Sequence, residues 1–159
     1  CHDRRLPLFG SCWGHQFIAR AFGGTVIHDS ESAEMGTHEV MLTDEGQADP
    51  LFEAFPRKFW AQMGHQDRVS ILPEGAVELA TNDVAPYQAF RFADAPIYGT
   101  QFHSELDEAG ERARLFAYRA YYPEMQQDTL FRETLESLRP TPDVDDLLFH
   151  FLEIYAVDP

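Results

Sequence analysis

The chain has 159 residues, 44% of them hydrophobic, which is enough to bury one core without metal or disulfide support. Its formal net charge of −15, from 27 acidic against 12 basic residues, argues against nucleic acid as a partner, because phosphate backbones are held by Lys and Arg. Two cysteines are too few for a disulfide framework, no apolar run is long enough to cross a bilayer and no signal-peptide pattern opens the chain, so no membrane partner and a reducing, cytoplasmic setting are expected.

In chain order, residues 6–9 form a short apolar run, as expected of a parallel strand buried on both faces. A glycine-bounded turn over residues 10–14 follows. Residues 15–22 then carry Phe17, Ile18, Ala21 and Phe22 at helical spacing, ended by Gly23 and Gly24. Residues 25–28 read as the next strand. Strand, sharp turn, helix and strand make one βαβ unit, which implies a parallel sheet with helices packed on it. Residues 37–43, 58–63, 77–81, 87–92 and 97–102 are rich in β-branched and aromatic side chains and read as strands; their quick succession suggests antiparallel hairpins appended to that sheet. Asp49-Pro50 opens a helical turn that runs to Phe55. From Asp107 onward the pattern is helical. Thr141-Pro142-Asp143 reads as a capped helix start, and Val144, Leu147, Leu148, Phe151, Leu152 and Tyr155 form one apolar stripe suited to core packing. The expected fold is α/β: a mostly parallel sheet flanked by helices, with antiparallel additions and extra C-terminal helices. Cys1 stands only a few residues before the first core strand, so an N-terminal portion of the domain is expected to lie outside this sequence.

Gly10-Ser11-Cys12-Trp13-Gly14 matches the nucleophile-elbow pattern, glycine-x-nucleophile-x-glycine, between a strand and a helix. On such a turn the nucleophile's backbone is strained and its near neighbours must lack bulk. The positive end of the following helix favours thiolate. The competing reading is a glycine-rich turn around an inert, buried cysteine. His103-Ser104-Glu105 follows a strand directly. Side chains two apart share a face, so His103 and Glu105 can meet in one cavity, with Ser104 turned away. A carboxylate beside an imidazole fixes its tautomer and steadies the imidazolium, as a base serving a thiol requires. His65 and Asp67 offer a second base pair, or a polar turn between strands. His65, Asp67, His103 and Glu105 also carry metal-ligating atoms, but no H-E-x-x-H pattern or cysteine pair accompanies them, and no metal or other cofactor is expected.

Taken together, three segments resemble the class I (triad) glutamine amidotransferases, in their GMP-synthase-like branch. The run from Leu8 to Gln16, continued by Ile18-Ala19-Arg20-Ala21-Phe22-Gly23-Gly24, resembles that family's nucleophile signature. Gly64-His65-Gln66-Asp67-Arg68-Val69 resembles its His-x-Asp loop, and the run from Tyr98 to Glu105 resembles its second signature, with Ser104 where proline is usual. The resemblance covers residues 6–105 of what reads as a single domain over residues 1–159, leaving residues 107–159 as a C-terminal helical extension. It implies Cys12 as nucleophile, His103 as base and Glu105 as the group that orients it. It implies an oxyanion amide at Trp13, a second one on a loop upstream of Cys1, and substrate contacts from Gln16, His65 and Asp67. The implied reaction is hydrolysis of the glutamine side-chain amide, with ammonia passed to an acceptor that can be a separate synthetase. Alternatives are a γ-glutamyl hydrolase of the same fold and a non-catalytic binding protein that keeps the fold.

Overall fold

The computed structural model describes residues 1–156; the last three residues of the expected C-terminal extension lie outside the described residues. The elements run β1 (Leu8–Ser11), α1 (Trp13–Ala21), β2 (Thr25–His28), β3 (Glu34–Leu42), α2 (Asp44–Gln47), β4 (Lys58–His65), β5 (Asp67–Ile71), β6 (Ala76–Thr81), β7 (Ala89–Phe92), β8 (Ile97–Thr100), α3 (Glu108–Tyr118), α4 (Asp128–Ser137), α5 (Pro142–Asp145) and α6 (Leu147–Tyr155). Six strands form one sheet in the order β1-β8-β7-β6-β3-β4, and β2 pairs with β5 in a separate two-stranded ribbon.

The α/β class and the flanking helices match the expectation; the balance of pairings does not. Among the described residues the six-stranded sheet has one parallel pairing, β1 with β8, and the others are antiparallel. The βαβ reading of residues 6–28 needs correcting too, since β2 does not return to the sheet of β1 but runs antiparallel to β5. The reason lies at Gly24, where a Cβ would sit 2.8 Å from the carbonyl oxygens of both Ala19 and Ile71. The chain leaves α1 through this narrow gap, already against β5. Val69 then packs with Ile18 and Ala19 in a core cluster of its own. Local pattern identifies a strand but does not name its neighbour.

Residues 50–55 form the short turn expected there, with Phe52 N–H donating to Asp49 O at 3.0 Å and Phe55 N–H to Phe52 O at 2.9 Å; the Asp49 carboxylate also caps the Leu51 N–H at 3.0 Å and is held by Arg91 and Tyr98. A helix the sequence reading did not place, α2, precedes it, where Thr43 Oγ1 accepts the Gly46 N–H at 3.0 Å. At the start of α5 the Thr141 hydroxyl does not cap the backbone but donates to Asp145 Oδ1 at 2.9 Å. The stripe on α5 and α6 packs as read in its inner part. Val144, Leu147 and Phe151 join the main core with Phe59, Tyr98 and Phe102, whereas Leu152 stays exposed.

Candidate active site

The strand-to-helix junction shows why Cys12 is presented rather than buried as a core side chain. Its backbone sits at φ 49, ψ −102, outside the region open to ordinary L-residues at no cost. The bend is held from both sides: Cys12 N–H donates to Thr100 O at 2.7 Å, and Gln16 N–H donates to Cys12 O at 3.2 Å. A Cβ at Gly10 would lie 2.6 Å from the Gly14 carbonyl carbon and 2.7 Å from Ile18 Cδ1, so a side chain there would push the helix off the strand. Gly14 itself has open space around its missing Cβ; it is needed less than Gly10.

A cavity of about 550 Å³ opens over this bend, lined by Ser11, Cys12, Trp13, Gln16, His28, Gly64, His65, Gln66, Asp67, His103, Glu105, Arg114 and Tyr122. All seven residues singled out from the sequence therefore lie in one cavity. β8 ends at Thr100, short of the residue 102 expected, and the chain bends to bring His103 against β4, where its N–H donates to Gln62 O at 2.9 Å. His103 Nδ1 meets Glu105 Oε1 at 2.6 Å, so the two meet in one cavity as expected. His103 Nε2 is buried and has no hydrogen-bond partner among the described residues. Ser104 does not line this cavity.

Charge in the cavity is set by burial and by a few partners. Burial would raise the Glu105 carboxyl, but hydrogen bonds from His103 and Ser11 outweigh it and hold the group down at about 2. The Ser11 hydroxyl donates to Glu105 Oε2 at 2.7 Å. Burial pushes the Cys12 thiol up to about 11, against the pull of Arg114 and of the Trp13 backbone N–H. Arg114 and the helix end do not offset the loss of water and the nearby Glu105 and Glu111 carboxyls. Gln101 Nε2 lies 3.8 Å from Cys12 Sγ.

The remaining residues are tied to one another. Gln16 does not cap its helix; its amide donates to Asp67 O at 2.7 Å and to Gln101 Oε1 at 3.2 Å. His65 has both ring nitrogens engaged, Nδ1 with Asp67 O at 3.1 Å and Nε2 with Glu34 Oε2 at 3.2 Å. It does not form a base pair with the Asp67 carboxylate, which faces His28 Nδ1 at 2.7 Å. The Trp13 indole is 71% exposed and stacks on Phe17, leaving its backbone N–H as the part that faces the sulfur.

Sequence reasoning missed four members of this site. Ser11 and Gln101 stand inside the quoted motifs, one and two residues from triad positions, and strand alternation would have found Gln101. Arg114 lies on α3 and reaches the cavity only through the packing of that helix. Glu34 is fully buried, accepting from Asn82 at 2.6 Å and Gln88 at 2.7 Å as well as meeting His65; burial opposes its charge, yet these partners hold its carboxyl below the ordinary value. No local pattern marks it. His15, beside Gln16, is a core residue: burial lowers it to about 3, and it packs on Phe90 with ring centroids 4.7 Å apart. Among the described residues no group of three or more His, Cys, Asp or Glu side chains is placed to hold a metal ion, and no helix is long and apolar enough to cross a membrane.

Residues 1–120 match the family described as glutamine amidotransferase class-I. The chain is 41% identical over 104 residues to the glutamine-hydrolyzing GMP synthase of Thermosipho africanus, covering 65% of this chain and 19% of that protein. It is 37% identical over 111 residues to a glutamine-hydrolyzing GMP synthase subunit of Thermococcus kodakarensis, covering 70% of this chain and 57% of that protein. It thus spans between a fifth and rather more than half of the length of these curated relatives. In fold it is similar to a glutamine amidotransferase from Thermotoga maritima, with a TM-score of 0.74 at 23% identity, covering 98% of this chain and 65% of that one. A glutamine amidotransferase from Methylobacillus flagellatus is similar at a TM-score of 0.69 and 24% identity, covering 97% of this chain and 62% of that one. With the elbow cysteine, the His-x-Glu pair and the His-x-Asp loop gathered around one cavity, and with the family match running through all three, the chain belongs to the class I glutamine amidotransferases.

Proposed function

We propose that the cavity hydrolyses the side-chain amide of glutamine, with Cys12 as nucleophile, His103 as general base and acid, and Glu105 as its orienting group. The observation that carries this reading is the open Nε2 of a histidine whose other nitrogen is held by a carboxylate, in the same cavity as a strained elbow cysteine. His103 takes the Cys12 proton as the sulfur attacks the carboxamide carbon, so the thiol need not ionise in advance. The carboxamide oxygen, now negative, is met by the Trp13 N–H. His103 then protonates the departing nitrogen; the C–N bond breaks and ammonia leaves. Water, relieved of a proton by His103, adds to the thioester, the C–S bond breaks, and glutamate and the thiol are regenerated. Gln16, His65 and Asp67 shape the wall on which the substrate rests.

Ammonia then passes to an acceptor, and the relatives named as subunits of GMP synthase support a synthetase carried on a separate chain. Both cysteines are free, which suits a reducing, cytoplasmic setting. The test is ammonia release from glutamine by the full-length protein, measured beside Cys12→Ala. Release by the parent and none by the variant is expected; equal release by both would refute Cys12 as nucleophile.

A further inference from the structure

Arg114 is the residue of this cavity that the triad chemistry leaves unused. Among the described residues that line it, Arg114 is the one Lys or Arg. In a chain of net charge −15, a cation facing the nucleophile is a selective placement. Its guanidinium is seated on the wall: Nη2 donates to Gly64 O at 3.0 Å, and Nη1 lies 3.5 Å from both oxygens of Glu111. Gly64 makes this seat possible, because a Cβ there would overlap the guanidinium. The Arg114 side chain is 19% exposed, so it is partly stripped of water yet still open to the cavity.

Glu111 is a weak counter-charge: it is fully buried, and burial raises its carboxyl to about 7 against the pull of Arg114. Arg114 is also close enough to the nucleophile to be the main influence drawing the Cys12 thiol down against burial. The cavity therefore offers a fixed, under-compensated cation on one wall and the Asp67 carboxylate on another, a polarity that suits a zwitterionic amino acid.

Resting on the glutaminase reading above, we propose that Arg114 is the carboxylate anchor of the site, taking the α-carboxylate of glutamine while the side-chain carboxamide meets Cys12. The planar guanidinium fork matches a carboxylate in two parallel hydrogen bonds, which fixes direction as well as position. Amides without that carboxylate lose the anchor and are turned over poorly.

The test has two arms on the full-length protein. In the first, Cys12 is alkylated by iodoacetate or by uncharged iodoacetamide, and modification is read on the Cys12 peptide so that the exposed Cys1 does not contribute. The ratio of the two rates in the parent is expected to fall roughly 10-fold or more in Arg114→Gln, as for loss of a hydrogen bond to a charged group. It should fall in the same direction in Gly64→Ala, which keeps the arginine but displaces it. An unchanged ratio in Arg114→Gln overturns the proposal. In the second arm, kcat/KM is compared for glutamine and for 4-aminobutanamide, which lacks only the carboxylate. Arg114→Gln should lower the glutamine value by roughly 10- to 100-fold more than the 4-aminobutanamide value, with the excess mostly in KM; any loss through the Cys12 thiol falls on both substrates alike. Equal losses on both substrates mean a structural role and overturn the anchor. An anion preference that collapses in the variant, in a parent that does not turn over glutamine, upholds the anchor and overturns the glutamine reading alone.

Discussion

In the proposed mechanism His103 and Glu105 divide one task between them, and the division predicts unequal losses. There, proton transfer through His103 Nε2 happens at the reacting atoms, whereas Glu105 acts only through the other nitrogen, which it meets at 2.6 Å. His103→Ala should lower kcat by roughly 10²–10⁴, the usual range for removing a positioned acid-base group. Glu105→Gln should lower it less, since the amide oxygen can still accept from His103 Nδ1, although the amide nitrogen then faces Ser11 and the stabilisation of the imidazolium is lost. Steady-state ammonia release from both variants decides the matter; a Glu105→Gln loss as large as that of His103→Ala would mean that orientation is not the smaller contribution.

Among the elements, the C-terminal helix α6 is fastened by more than its apolar stripe. The Tyr155 and Tyr98 hydroxyls lie 2.7 Å apart, and Tyr98 OH also donates to the Asp49 carboxylate at 3.2 Å. Asp49 is buried and its Oδ2 pairs with Arg91 Nε at 2.5 Å. Burial and these neighbours hold the Tyr98 hydroxyl well above the ordinary phenol range, so it remains a donor at any working pH. This chain of contacts joins the turn before residue 52, strands β7 and β8, and α6. Asp49→Ala takes its carboxylate partner from Arg91, whose side chain is 30% exposed, and one of two hydroxyl partners from Tyr98, a loss of about 1–3 kcal/mol. The expected result is a lower urea midpoint with an unchanged denaturant slope. A midpoint within experimental error of the parent would show that Asp49 does not hold these elements together.

For the whole molecule, two carboxyls move stability with pH in opposite directions. The Glu105 carboxyl, held at about 2 against an ordinary 4.5, binds fewer protons folded than unfolded, so its contribution is present above 4.5 and is lost as pH falls toward 2. Glu111 works the other way. Burial raises it to about 7, with Arg114 pulling down and Glu105 pushing up, so the folded state binds more protons than the unfolded one between 4.5 and 7. Its contribution is fully present below 4.5 and declines as pH rises through 7. His15, lowered by burial to about 3, works against Glu111 below pH 6.5, so the effect is read as a difference: relative to the parent, Glu111→Gln should gain in melting temperature as pH rises from about 5 to 7.5. A difference between parent and variant that stays constant across that interval would refute this assignment.

How much of this was written in the sequence depends on the range of the interaction. The elbow was legible because a strained turn makes a local demand: Gly10 must lack a side chain so that Gly14 can pass within 2.6 Å of where a Cβ would be. The His103–Glu105 pair was legible because two residues of spacing keep the side chains within reach of each other, although the bend after Thr100, and not strand alternation, brings them together. The position of α1 followed from apolar spacing and a glycine stop, and that of α6 from its apolar stripe. What local pattern did not contain was partnership. It did not reveal that β2 leaves the main sheet for β5, or that most pairings in the sheet run antiparallel, because any strand edge offers the same backbone donors and acceptors. Nor did it contain the burial that lifts the Cys12 thiol to about 11, the Glu34 carboxylate behind His65, or the arrival of Arg114 over Gly64 from a helix 50 residues away in the chain. Residue types and short spacings determined the candidate reacting groups; desolvation and long-range packing, which exist only once the chain has closed on itself, decided their charge and their company.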